Sequence, residues 1–236
     1  MSTLKPVLLL AGGRPRNPQI FNPLFQEVFK VSDKTKPIVA YVGAASEENK
    51  AFFLMMSAML KGVGAGKIRQ AVLAPEKADV QKAQDILESS DIVYISGGDV
   101  EHGMKVVQQK KMVDFLVGLY RQGKPFFGVS AGSIMLAKEW IRWRDPEDDA
   151  TGEVFPCLGI APVICDTHGE ADGWEELQAL LQMEKDNTIG YGIVSGTAMK
   201  VFPDGKIEAL GGAVHQYAKS NGTVKRLDDI LPGDKP

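Results

Sequence analysis

Gly128-Val129-Ser130-Ala131-Gly132 sets a serine between small residues, straight after the apolar run Pro125-Phe126-Phe127 and before helical spacing over residues 133–137. This fits the G-x-S-x-G nucleophile elbow, in which a strained strand-to-helix turn exposes the serine hydroxyl. Glycines are needed there because neighbouring backbone passes close by, and the N–H groups of the following helix favour a developing oxyanion. The competing reading is a tight corner with no chemistry.

A nucleophilic serine needs a base, and the chain has three histidines, His102, His168 and His215. His102 opens a helix after a glycine turn, and His215 suits a surface or satisfied core position. His168 ends the run Ile164-Cys165-Asp166-Thr167. Carboxyl ends of strands are where open α/β sheets gather their chemistry, which makes His168 the best candidate. A third residue should orient the imidazole. Asp145, Glu147, Asp148, Asp149, Asp166, Glu170 and Asp172 are all available, and spacing does not choose among them. Ser96-Gly97-Gly98-Asp99 supplies paired glycines whose N–H groups can approach an oxyanion without a Cβ in the way. An ordinary turn, with Asp99 capping the next helix, is the plainer reading. Gly12-Gly13 carries the same ambiguity and lacks a phosphate-loop signature.

Strands positioning these residues are expected at 6–10, 37–42, 67–73, 91–96 and 125–129. Helical patterns lie between them at 18–31, 47–61, 80–88 and 103–122, with Ser46 expected to cap the second. Strands almost without polar alternation, separated by helices, imply a mostly parallel sheet covered on both faces. The pattern is less regular beyond residue 138. It suggests a strand at 158–166, a helix at 174–184, a hairpin joining 196–202 to 206–210, and a polar surface tail over 220–236. A single domain spanning 1–236 is expected, since no repeat or linker divides the chain.

Composition narrows the class. The chain has 236 residues, 44% hydrophobic and 24% charged, with 27 basic against 30 acidic residues and net charge −3. That length can fill the core of one large α/β domain. The charge offers no footprint for nucleic acid, no apolar run is long enough to span a bilayer, and residues 6–11 are too few for a secretory segment. Two cysteines give neither a disulfide framework nor a zinc site, and three scattered histidines lack metal-ligand spacing. A cytoplasmic protein without metal or cofactor is expected, with a homodimer as the base-rate assembly.

Ile95-Ser96-Gly97-Gly98-Asp99, followed about thirty residues later by the Ser130 elbow, resembles the aspartyl dipeptidase (peptidase E) and cyanophycinase family of serine peptidases. The likeness runs from about residue 6 to about residue 210. It implies an α/β three-layer sandwich around a mostly parallel central sheet, like class I glutamine amidotransferases and flavodoxin-like in outline. It also implies hydrolysis of short peptides through an acyl-enzyme, with Ser130 as nucleophile, His168 as base and Asp145 as the triad carboxylate. Ala131 N–H and the Gly97-Gly98 backbone would form the oxyanion hole. Cyanophycinase-like members place a glutamate further along the chain. Here the comparable stretch Gly192-Ile193-Val194-Ser195-Gly196 has Ser195, which favours Asp145.

One departure bears on specificity. Relatives carry arginines shortly after the histidine to hold an aspartyl carboxylate, whereas residues 169–178 contain no arginine and several acids. Asp99, Glu170 and Arg144 are the charged residues expected to touch substrate, and a preference for N-terminal aspartate is not expected. Short βα connections favour an exopeptidase cleft. The alternative is a catalytically silent small-molecule or partner-binding protein on the same fold.

Overall fold

A computed structural model describes residues 3–12, 21–145 and 147–233. The central sheet has seven strands: β1 (Val7–Leu10), β2 (Ile38–Val42), β3 (Lys67–Gln70), β4 (Ile92–Ile95), β5 (Phe126–Val129), β10 (Ala198–Val201) and β11 (Ile207–Leu210), in the order β11-β10-β1-β5-β4-β2-β3. Strands β1 to β5 run parallel, while β10 and β11 add an antiparallel edge beside β1. The strands β1, β4 and β5 are buried at every position, as their uninterrupted apolar runs require of a sheet covered twice.

Two helical layers provide that cover. Helices α1 (Phe21–Lys30) and α2 (Lys50–Gly62) enclose one face, where Tyr94 stacks on Phe127 at 4.5 Å and meets Tyr41 edge-on at 5.2 Å. Helices α3 (Val80–Glu88), α4 (Val100–Gln109), α5 (Val113–Arg121) and α6 (Ala131–Leu136) enclose the other. The expected three-layer α/β sandwich is therefore present.

Several local expectations change. The stretch expected as one helix over 103–122 is two, α4 and α5, broken where Lys111 takes φ 55°. The second helix starts later than expected, because the Asn49 side chain rather than Ser46 accepts the Phe52 N–H. Ser46 Oγ instead donates to Gly43 O. The start of the first expected helix and Gly13 lie outside the described residues.

The region beyond residue 138 holds more sheet than its irregular pattern suggested. β6 (Glu139–Trp143) and β7 (Gly152–Pro156) form a hairpin. A four-stranded sheet in the order β13-β12-β9-β8 comprises β8 (Ile164–Thr167), β9 (Ile189–Ile193), β12 (Val214–Ser220) and β13 (Thr223–Arg226). The expected strand over 158–166 thus shortens to β8, and part of the expected tail pairs as β13, with a further bridge from Ile230 to Val214. One face of this sheet joins the α6 side of the main core through Cys165, Ile193 and Val214. The other is covered by α7 (Glu175–Met183) and Trp174. Gly169 and Gly192 let the indole lie flat, since a Cβ on either would stand 2.7 Å from it.

Within the central sheet the connections reverse direction between β2 and β4, where an open α/β sheet usually opens its ligand crevice. That crevice is closed. Asp99 N–H donates to Ala45 O at 2.8 Å, and a Cβ on Gly98 would stand 1.9 Å from the same oxygen. The Ser130 elbow stands one strand over, at the carboxyl end of β5.

Candidate active site

Ser130 leaves β5 with φ 54° and ψ −126°, a conformation that costs a non-glycine residue roughly 1–3 kcal/mol. Its surroundings enforce it. Ser130 N–H donates to Leu10 O at 2.8 Å, Ser133 N–H donates to Ser130 O at 2.7 Å, and Ser133 Oγ donates to Leu10 O at 2.9 Å. The flanking glycines answer to space: a Cβ on Gly128 would stand 2.4 Å from Gly132 O, and one on Gly132 would stand 2.0 Å from Ile95 O. Helix α6 can therefore press onto β4 and β5 and turn the serine outward.

Gly97 and Gly12 border this serine. A Cβ on Gly97 would lie 3.3 Å from Ser130 Cβ, so the Gly97-Gly98 turn passes directly beside the elbow. A Cβ on Gly12 would lie 3.9 Å from Ser130 Cβ and 3.9 Å from His168 Nε2. Serine and imidazole thus converge on one small gap, with no hydrogen bond joining them directly. Such contacts commonly tighten only when substrate is bound.

The second sheet delivers the histidine. β8 and β9 run parallel with Thr167 beside Ile193, so residues just past both strands emerge at the same edge. His168 turns there with φ 67°, and its N–H reaches Ile193 O. Ser195 emerges from β9, and its Oγ lies 2.9 Å from His168 Nδ1. Both oxygens of Glu170 then meet Ser195: Oε1 accepts the Ser195 N–H, and Oε2 accepts from Oγ at 3.4 Å. From here the chain crosses to the central sheet, pinned by Gly196 N–H on Gly12 O and Ala11 N–H on Thr197 O. Two sheets are stitched together at the site itself.

Burial pushes the His168 imidazole below its ordinary range, and the Glu170 charge only partly opposes this. For Glu170, burial would raise the carboxyl, but the hydrogen bonds centred on Ser195 and the His168 charge together hold it low.

Asp145 does not take the expected position. Its Oδ1 accepts the Glu147 N–H within the β6–β7 connection, and its backbone pairs with Thr151. The hairpin geometry, hidden in what reads as a polar loop, turns that carboxylate onto its own turn, so Asp145 is not brought to His168. Asp166 is also elsewhere. It is buried against Thr167 N–H and faces the α7 side, and burial, with the Glu176 charge adding to it, pushes it up to about 7.

The expected substrate contacts divide. Asp99 is used as the α4 cap, its Oδ1 accepting the His102 N–H at 2.6 Å. Arg144 pairs with Glu153 at 2.7 Å, while Arg142 bridges Glu101 and the same Glu153. Glu170 remains at the site. His215 lies away on β12, with Nδ1 2.9 Å from Asp229. Ser195 was visible as a strand-end serine in a small-residue stretch, but its partner twenty-five residues upstream was not.

Residues 7–209 match the sequence profile of peptidase family S51. The chain belongs to this family. It is a serine peptidase, and the alternative of a catalytically silent binding protein is set aside. No curated protein matches the sequence significantly. Among solved structures, a peptidase from an acI-B1 Actinobacterium has a TM-score of 0.70 at 16% identity, covering 97% of each chain. A protein from Listeria monocytogenes EGD-e, named as a candidate peptidase E, has a TM-score of 0.63 at 15% identity, covering 95% of this chain and 100% of that one. Both share the peptidase's fold. Among the described residues no helix is long and apolar enough to cross a membrane.

Proposed function

We propose that the peptidase is an exopeptidase of short peptides, dipeptides foremost, working through an acyl-enzyme on Ser130. The observation that carries this is the convergence of Ser130 and His168 Nε2 on Gly12, with Ser130 held in a left-handed elbow. His168 Nε2 takes the Ser130 hydroxyl proton as Oγ attacks the scissile carbonyl, then returns it to the departing amine. Water, deprotonated by the same nitrogen, releases the acyl group. Ala131 N–H and the Gly97-Gly98 backbone are the donors proposed for the oxyanion, because the Gly97 turn lies against Ser130.

Exopeptidase action is favoured by the rim. The Ala45 turn closes one side, and the crossing at residues 194–197 closes the other. Among the described residues little chain remains there to build an extended groove. The test combines fluorophosphonate labelling with a library of dipeptides, tripeptides and end-blocked peptides. Labelling at Ser130, lost in Ser130→Ala, together with cleavage of free short peptides, supports the reading. An unlabelled serine, or efficient cleavage of end-blocked peptides, contradicts it.

A further inference from the structure

We propose that the acid serving the catalytic imidazole is Glu170, acting through the Ser195 hydroxyl rather than by direct contact. This rests on Ser130 and His168 being nucleophile and base.

The geometry fixes the direction of each proton. Glu170 straddles Ser195, with Oε1 taken by the backbone N–H and Oε2 left for the hydroxyl. A carboxylate cannot donate, so the Ser195 O–H must point at Oε2. The Oγ lone pairs then face His168 Nδ1, 2.9 Å away, and can only be satisfied by an Nδ1–H. That tautomer leaves the Nε2 lone pair free on the Ser130 side. The same chain stabilises the imidazolium that forms during attack, with no proton leaving Nδ1. Among the described residues Glu170 is the charged group acting on His168.

Topology holds the arrangement together although Ser195 and Glu170 are exposed. Glu170 sits two residues beyond His168 and Ser195 two beyond Ile193, at the ends of parallel neighbours in register. Between them, the 168–174 turn is drawn tight by Trp174 N–H on Gly169 O at 2.8 Å and on Asp172 Oδ1 at 2.9 Å. Other candidate carboxylates are otherwise engaged, Asp145 in its own turn, Asp166 on the Thr167 N–H and Asp172 on the Trp174 N–H. Ser195 and Glu170 are positioning residues, since neither touches the reacting atoms.

The experiment compares kcat, KM and the pH dependence of kcat/KM for Ser195→Ala, Ser195→Thr, Glu170→Gln, the Ser195→Ala/Glu170→Gln double variant and Asp145→Asn, using the best dipeptide of the library. General-base catalysis is worth about 10²–10⁴-fold, so losing its alignment should lower kcat by roughly tenfold or more with KM little changed. The double variant should be no slower than the worse single variant, because the two residues act as one unit. Ser195→Thr, which keeps the hydroxyl, should retain most of the rate. Glu170→Gln should also move the acid limb of kcat/KM to lower pH, since a charge that favours the imidazolium is gone. Additive losses, an unmoved acid limb, wild-type rates in Ser195→Ala, or collapse of activity in Asp145→Asn would each overturn the proposal. Fluorophosphonate labelling of the wild type separates the two readings: without it the nucleophile assignment fails, whereas with it and unaffected variants only the relay fails.

Discussion

Gly132 lies against Ile95 so closely that a Cβ would stand 2.0 Å from the Ile95 carbonyl oxygen. That contact lets α6 begin directly at the elbow and makes the second glycine of the motif a packing requirement. Gly132→Ala should force α6 off β4 and cost several kcal/mol, on the scale of severe overpacking in a core. Thermal unfolding of the variant checks this; a melting temperature within a degree or two of wild type would show that the sheet end yields freely.

Ser130 shows the opposite balance. At φ 54° a glycine adopts its backbone without strain. Ser130→Gly should abolish hydrolysis while raising stability by about 1 kcal/mol, the relieved strain less the entropy cost of glycine. For a chain of this length that is roughly 2–4 °C in melting temperature. A destabilised variant would mean that the serine side chain holds the turn together.

Burial holds the His168 imidazole low, with the Glu170 charge only partly opposing it. The base works when neutral, so activity is lost as pH falls through its pKa in the free enzyme. The acid limb of kcat/KM should therefore lie below the ordinary histidine value of about 6.5. A limb at or above that value would show that His168 is charged more easily than its burial allows.

Asp166 carries the reverse shift, raised by burial first and by neighbouring Glu176, to about 7. Between its ordinary carboxyl range and pH 7 the folded state holds a proton that the unfolded chain releases. The folded state is thus penalised progressively as pH rises through that window, and fully above it. Asp166→Asn keeps an acceptor for the Thr167 N–H and removes the penalty. Its melting temperature should exceed wild type by a few degrees at pH 8.5, with the gain shrinking toward pH 4. An equal gain at both pH values would assign the effect to packing.

Specificity should follow the available charges. Arg142 and Arg144 are paired with Glu101 and Glu153, and Glu170 stands beside the imidazole. Recognition of a carboxylate needs an unoccupied cation, best an arginine fork. Asp-Leu should be a poorer substrate than Ala-Leu, and Lys-Leu at least as good. A preference for Asp-Leu by about tenfold, some 1.4 kcal/mol, would overturn this expectation.

The elbow and the strands beneath it were legible because their signals are local. β1, β4 and β5 announce themselves as unbroken apolar runs, and the strain at Ser130 is met by glycines two residues on either side. His168 could be ranked first among three histidines because it ends such a run. The second sheet was harder to read, since β9 and β12 pair residues far apart in sequence and alternate only weakly. The histidine's partner was decided wholly by tertiary structure. Glu170 and Ser195 are ordinary exposed residues in turns, and they meet only because β8 and β9 run parallel and stop in register. The family resemblance offered Asp145, whose carboxylate the β6–β7 hairpin turns onto its own backbone. Periodicity and turn chemistry can determine where a strand ends and what it exposes; which two strand ends share an edge depends on long-range pairing that no short stretch encodes.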